Sequence, residues 1–207
     1  MNLLIQVRED ITDSVSEELA NILRVSIDDM NKAIDIFLPG ILGGITQIGK
    51  NNSGADSILG IINKQRINYH NTHSFVSAIK EQDKTSKLLD KGNYISNLFF
   101  GKKYSELLDL LVRKSGINEH AGRKLLSILT LLSFNKIAEI IKVKNFNINT
   151  LSKALSHEDK VLLEITPCLK SLFKKTNSEP KIHSIEEYYK KNEKKDKASI
   201  WKRMFKA

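Results

Sequence analysis

Cysteine, proline and aromatic residues are all scarce in this chain of 207 residues. It contains one cysteine, three prolines and 7% aromatic residues. The single thiol, Cys168, can form neither an internal disulfide nor a cysteine-based zinc site, so the composition fits a reducing compartment. The few prolines, together with many Leu, Ile and Lys residues, favour helix over strand.

Long hydrophobic runs are missing as well. A membrane span needs about 18 uninterrupted apolar residues, and the longest apolar stretches here are 36–45 and 125–134. The N-terminal residues lack the basic region and apolar core of a signal peptide. We therefore expect a cytoplasmic protein, and the basic C-terminal tail leaves peripheral attachment to the inner membrane open.

Helix starts recur along the chain. In a capping box, a serine and an acid three residues later satisfy free backbone N–H groups. Such patterns stand at 14–17, 26–29, 156–159 and 184–187. Asn118 begins a further helix after the break at Ser115 and Gly116. The segment before that break has one apolar helical face, formed by Leu107, Leu108, Leu111 and Val112. These signals predict an all-α fold.

A glycine-rich stretch lies inside one of these helical patterns, where Pro39 precedes Gly40, Gly43 and Gly44. Glycines without side chains let a second helix approach closely. The alternative is a phosphate-binding loop, but no strand precedes it and no Gly-Lys-Ser/Thr ending follows. We therefore interpret these glycines as helix-packing residues.

The order of helices suggests an internal duplication. Residues 15–24 can be aligned with 104–113, and a long apolar helix follows each segment, at 30–49 and 119–141. A short Leu-bearing helix ends each unit. We predict a duplicated helical body over 1–174, with repeats at about 2–65 and 94–169 and a connector over 66–86. A basic linker and an amphipathic tail helix complete the chain over 175–207.

Several segments resemble the YidB-like bacterial domains of unknown function (DUF937). The segments are AIDIFLPGILGGI at 33–45, GADSILG at 54–60, GNYISNLFFG at 92–101 and SGIN at 115–118. The resemblance covers roughly 2–155. The second unit departs from the family pattern, because Leu129 and Thr130 stand where Pro-Gly is expected.

The resemblance implies a fold but no reaction. It implies an all-helical protein, homeodomain-like in some members, and it offers no catalytic residues to carry over. The two repeats are accordingly expected to be homeodomain-like or helical-bundle units.

Candidate catalytic and metal-binding residues are few. His70 and His73 have the spacing of two ligands on a helix, but no further ligands stand at metal-site spacing, and the segment resembles a polar loop. Cys168 has no base placed beside it, and its apolar neighbours favour a buried thiol. The carboxylates lie mostly at helix starts, where solvation accounts for them. We predict no enzyme activity, metal, cofactor or small-molecule substrate.

A helix-turn-helix interpretation also fits residues 107–126, with Gly116 in the turn. The DNA-recognition helix would present Asn118, Glu119, His120, Arg123 and Lys124. An acid at its leading end would face DNA phosphates, which is unfavourable. Packing of two helices is therefore favoured over DNA reading.

The basic charge is concentrated in the tail. Residues 170–207 carry 12 Lys and Arg against 5 Asp and Glu, or +7, which leaves 21 against 19, or +2, for residues 1–169. Ile200, Trp201, Met204 and Phe205 form an apolar face there. A basic helix with Trp and Phe on one side fits an anionic membrane surface or a partner groove. The predicted binding residues are Lys190, Lys191, Lys194, Lys195, Lys197, Trp201, Lys202, Arg203, Phe205 and Lys206.

The sequence thus predicts a non-enzymatic bacterial interaction or scaffold module. Its tail would engage an anionic membrane surface or a protein partner. The first alternative is a nucleic-acid-binding protein that uses 107–126 together with the tail. In a second alternative, the apolar face of the tail docks on the body and its lysines are only solvated. The oligomeric state is not indicated by the sequence.

Overall fold

A computed structural model describes residues 2–65, 82–165 and Leu172, and the regular structure within these ranges is entirely helical. This confirms the all-α prediction for the described part of the chain. The helices, numbered here in chain order, are α1 (Leu3–Glu9), α2 (Asp13–Leu23), α3 (Ile27–Gly49), α4 (Asn52–Lys64), α5 (Gln82–Phe100), α6 (Lys103–Ser115), α7 (Glu119–Lys144) and α8 (Ile148–Ile165).

Side-chain caps start the two longest helices where the sequence predicted them. The Ser26 hydroxyl accepts a hydrogen bond from the Asp29 N–H at 3.1 Å, and the Asn118 side-chain oxygen accepts one from the Ala121 N–H at 2.9 Å. Gly116 ends α6 with a φ of 81°, a left-handed conformation that glycine adopts without steric cost.

Three predicted boundaries were wrong. Helix α2 begins at Asp13 after Thr12, so Ser14 is inside the helix and does not cap it. The predicted connector boundary at 86 was wrong, because α5 begins at Gln82, and residues 66–81 lie outside the described part of the chain. The helix start predicted at Ser156 lies in the middle of α8, which runs unbroken from Ile148 to Ile165.

Helices α3 and α7 form the centre of the core. Residues 37–46 of α3 and 125–135 of α7 are all buried, so each helix is covered on every side in its middle. Helix α3 packs against α6, α7 and α8, and α7 packs against α2, α4, α5 and α6. The Phe99 ring of α5 meets the Phe134 ring of α7 edge-on at 5.2 Å between centroids.

The glycines of α3 are helical and buried, which confirms the prediction of packing residues for Gly40. Pro39 and Gly40 lie within the continuous helix. A Cβ built on Gly40 would lie 2.6 Å from the Leu111 Cδ2 atom of α6. Glycine at this position therefore leaves room for the Leu111 side chain of α6 against the α3 backbone.

Two sets of three helices follow one another in the same order. Each set, α2–α3–α4 and α6–α7–α8, has a long central helix that begins after a three-residue turn. Each central helix also packs against the third helix of the other set, because α3 contacts α8 and α7 contacts α4. The two sets therefore share one core.

Candidate functional site

A partly buried polar cluster joins α8 to the end of α3. The Asp159 side chain, in a residue only 5% exposed, accepts hydrogen bonds from Gln47 Nε2 at 2.9 Å, Lys50 Nζ at 3.3 Å and Thr46 Oγ1 at 3.5 Å. Lys50 Nζ also donates to Gln47 Oε1 at 2.7 Å. We call Thr46, Gln47, Lys50 and Asp159 the Asp159 cluster.

The neighbouring acid, Glu158, ties α8 to the N-terminal helix. Its Oε2 atom accepts a hydrogen bond from the Leu3 N–H at 2.9 Å, and the residue is 4% exposed. Leu3 begins α1, where backbone N–H groups have no partner within the helix. The Glu158 carboxylate therefore satisfies a backbone group that burial would otherwise leave unpaired.

The carboxylates of Glu158 and Asp159 link α8 to other helices through hydrogen bonds. The Asp159 carboxylate is bonded to three side chains of α3 and its C-terminal end, and Glu158 is bonded to the backbone of α1. Buried carboxylates with such partners hold elements in register, since removing one partner leaves a charge unpaired. Within residues 2–65, 82–165 and 172, no group of three or more His, Cys, Asp or Glu side chains is arranged to hold a metal ion.

Sequence reasoning missed both acids. It placed Ser156, Glu158 and Asp159 at a helix start, where solvation would account for the carboxylates. A signal was nevertheless present, because Leu155 and Leu162 place both acids on an apolar helical stripe. Acids on such a stripe are expected to be buried and paired.

The structure places the helix-turn-helix residues at the start of α7. Asn118, Glu119, His120 and Arg123 are exposed, and Lys124 is half-buried. Glu119 Oε1 accepts a hydrogen bond from Arg123 Nη2 at 2.6 Å, and this bond raises the pKa of Arg123. The Arg123 guanidinium also lies 5.9 Å from the centroid of the Tyr104 ring, so its charge already has two partners in α6 and α7.

The exposed segment at the start of α7 is shorter than a DNA-recognition helix. Every residue from 125 to 135 is buried in the core. In the helix-turn-helix interpretation, only the first turn and a half at the start of α7 could therefore face a DNA groove.

Charge is divided between the two described halves of the body. Residues 2–65 carry 5 Lys and Arg against 9 Asp and Glu, a net charge of −4. Residues 82–165 carry 14 against 9, a net charge of +5. The near-neutral sum of the body therefore conceals an acidic first half and a basic second half.

The other predicted sites lie outside the described residues. These are the histidines His70 and His73, the thiol Cys168, the 175–207 domain and the tail residues Lys190, Lys191, Lys194, Lys195, Lys197, Trp201, Lys202, Arg203, Phe205 and Lys206. Among the helices that are described, none is long and apolar enough to cross a membrane.

Comparison with known proteins gives a family and no activity. No curated protein and no solved structure matches the chain. A family model described as a bacterial protein of unknown function matches residues 6–139, about two thirds of the chain. This region extends from α1 nearly to the end of α7 and so includes both central helices. The chain therefore belongs to the DUF937 family of bacterial proteins, as its sequence motifs predicted.

Proposed function

We propose that this protein is a non-enzymatic helical interaction module whose basic tail binds an anionic membrane surface. The carrying observation is the excess of 12 Lys and Arg over 5 Asp and Glu in residues 170–207, more than three quarters of the net charge of +9. Trp201 and Phe205 add apolar anchors between these cations. Tryptophan and lysine in one amphipathic segment suit the boundary between lipid headgroups and acyl chains.

The body would serve as a scaffold that presents this tail. We propose that it is a duplicated unit, supported by the matching order of α2–α3–α4 and α6–α7–α8. The reciprocal packing of α3 with α8 and of α7 with α4 also supports a duplication. In this proposal the protein works in the cytoplasm, at the inner face of the membrane.

The test is cosedimentation of the full-length chain with vesicles. Vesicles with about a third of phosphatidylglycerol in phosphatidylcholine should bind the protein, and pure phosphatidylcholine should not. The tail variant K190Q/K191Q/K194Q/K195Q removes four charges, each worth about 1 kcal/mol near an anionic surface at low salt. We therefore expect a loss of binding of at least a hundredfold.

A second variant tests insertion of the tail. The emission of Trp201, the single tryptophan of the chain, should shift to the blue on anionic vesicles, and Trp201→Ala should weaken vesicle binding. An acidic protein groove remains the other partner that the tail would suit. Wild-type protein that binds neither type of vesicle at low salt would disprove the membrane proposal.

Nucleic acid is the second candidate partner. The net charge of +5 on residues 82–165 favours it, because these residues include α6 and α7 of the helix-turn-helix interpretation. Burial of 125–135 weighs against it. A steep salt dependence of binding to duplex DNA that Trp201→Ala leaves unchanged would favour phosphate contacts over lipid insertion.

A further inference from the structure

The end of α7 carries the most exposed large apolar side chain in the described part of the chain. Val143 is 73% exposed, compared with 50% for Ile5, 46% for Val161 and 39% for Ile27. It lies in the last turn of α7, next to the turn that leads into α8. We call residues 142–153, which contain this turn, the α7–α8 corner.

Hydrogen bonds fix the shape of the corner. Asn145 ends α7 in the left-handed region, with a φ of 51°, and the Phe146 N–H donates to the Ile141 carbonyl at 3.0 Å. Asn147 and Thr150 then cap each other at the start of α8, with N–H to side-chain oxygen distances of 2.9 and 3.0 Å. Val143 therefore projects from a well-defined turn.

A contact between α8 and α4 holds the corner on the body. The Ser152 hydroxyl lies 2.9 Å from the Asn52 side-chain oxygen. Phe146 and Ile148 are partly buried and pack against the core. The corner is thus held on the body, with the exposed Val143 in the last helical turn of α7.

The charge around Val143 is mainly positive. Lys142 and Lys144 flank Val143, and Lys153 follows in α8, whereas residues 140–157 contain no Asp or Glu. The Lys144 Nζ atom lies 6.0 Å from the centroid of the Phe146 ring, which leaves its ammonium on the surface. An exposed valine flanked by lysines suits an anionic surface that has an apolar interior.

The other exposed apolar residues lack this combination. Ile27 is followed directly by Asp28 and Asp29, Ile5 lies one turn from Glu9, and Val161 lies one turn from the exposed Glu164. These carboxylates would be repelled by anionic headgroups. Glu139 likewise lies one turn from Val143, but its carboxylate is paired with Lys136 at 2.9 Å. The corner therefore differs from the other three positions by its flanking lysines and by its greater exposure.

We propose that the α7–α8 corner is a second contact with the same anionic membrane surface that the tail binds. Val143 enters the headgroup region, and Lys142, Lys144 and Lys153 pair with lipid phosphates. The inference rests on the proposed function, since a single valine with three lysines binds weakly alone and stable attachment needs two signals. Once the tail is bound, the corner binds as an intramolecular second site.

The first experiment removes charge from the corner of the full-length chain. In K142Q/K144Q we expect about tenfold or greater weakening of binding to phosphatidylglycerol vesicles at low salt, because each lysine contributes about fivefold. The matched control, K32Q/K64Q, removes the same charge from exposed positions in the acidic half and should change binding by less than about twofold. Circular dichroism confirms that both variants keep their helices.

The second experiment places the reporter at residue 143. V143W in a W201F background makes residue 143 the only tryptophan of the chain, and its emission should shift to the blue on anionic vesicles. The control I27W/W201F places the tryptophan next to Asp28 and Asp29, and its emission should not shift on anionic vesicles. A structural role for Val143 would produce no lipid-dependent shift.

The outcomes separate the two proposals. Suppose that the wild type binds anionic vesicles and that this binding depends on Trp201. If K142Q/K144Q then binds as well as the wild type and V143W/W201F shows no emission shift, the corner proposal is overturned and the tail proposal stands. If the wild type binds no anionic vesicle, both are overturned. Loss of duplex DNA binding in K142Q/K144Q without a change in vesicle binding would overturn the lipid assignment of the corner.

Discussion

The Lys136 ammonium lies 2.9 Å from an Asp10 carboxylate oxygen, and the two side chains are only 14% and 20% exposed. Lys136 belongs to α7 and Asp10 follows α1, so this ion pair fastens the N-terminal segment to the central helix. Glu139 gives the same ammonium a second carboxylate at 2.9 Å. Removing one partner from an ion pair that is this well shielded costs more than removing one from a surface pair, because a partly buried charge is left unpaired.

We expect Lys136→Met to lower the free energy of unfolding by about 1–3 kcal/mol, because Asp10 is left largely buried without its partner. Urea denaturation measures this loss. The matched control is Lys142→Met at an exposed position of the same helix, which should cost less than about 0.5 kcal/mol. Equal losses in both variants would show that the ion pair contributes nothing specific.

The stability contributed by the Lys136–Asp10 pair should fall at high pH. Burial by itself lowers the pKa of Lys136, but hydrogen bonds to Asp10 and Glu139 outweigh it, and the net shift is upward. A raised pKa in the folded state gives stability that is complete below the unfolded value, about 10.4, and is lost as pH rises through the folded value. The difference between wild type and Lys136→Met should therefore shrink above about pH 10.4. A difference that grows there would contradict the assignment.

The Glu158 hydrogen bond predicts a local effect on α1. Glu158→Ala removes the acceptor of the Leu3 N–H and should cost about 1–3 kcal/mol, whereas Glu158→Gln keeps an acceptor oxygen and should cost less. Hydrogen exchange should show faster exchange of the α1 amides in the alanine variant. Glu164→Ala, at an exposed position of α8, is the control. Unchanged α1 exchange in Glu158→Ala would mean that apolar contacts alone hold the helix.

The close approach of α5 and α7 predicts that alanine in place of Gly92 lowers the stability of the protein. A Cβ on Gly92 would overlap the backbone carbonyl of Ser127. Replacing glycine by alanine in a free helix gains about 1 kcal/mol, but here the overlap should dominate, and we expect Gly92→Ala to destabilise the protein by about 1–3 kcal/mol. Lys87→Ala, exposed on the same helix, controls for helix propensity. Thermal denaturation that shows a gain for Gly92→Ala would disprove the close packing.

Local signals predicted much of the fold. Ser26 and Asn118 have the side chains that cap helices, and Gly116 has the freedom that a left-handed turn needs, so these boundaries could be predicted from neighbouring residues. The Ser156 start was wrong because a local cap pattern cannot outweigh the tertiary packing that keeps α8 continuous. The burial of Glu158 and Asp159 depends on α1 and α3, which are distant in sequence.

The division of charge shows how the proposed contacts would orient the body. Residues 2–65 have a net charge of −4, and both the α7–α8 corner and the connection to the tail belong to the rest of the chain. An anionic membrane attracts the basic half and repels the acidic one within about a Debye length, roughly 10 Å at 0.1 M salt. The proposed contacts would therefore draw the basic residues of 82–165 toward the membrane, rather than the acidic residues of 2–65.

The last prediction separates the body from the tail in any binding to nucleic acid. Since residues 125–135 are buried, the exposed start of α7 can offer few phosphate contacts. We expect R123Q/K124Q to change the duplex DNA affinity of the full-length chain by less than about threefold. The slope of log affinity against log salt concentration should become less steep in the tail variant K190Q/K191Q/K194Q/K195Q. The change should be about 0.9 for each phosphate that the tail no longer neutralises. Fluorescence anisotropy across a salt series measures both. A larger decrease in affinity for R123Q/K124Q than for the tail variant would restore the helix-turn-helix interpretation, because affinity would then depend on the two cations at the start of α7.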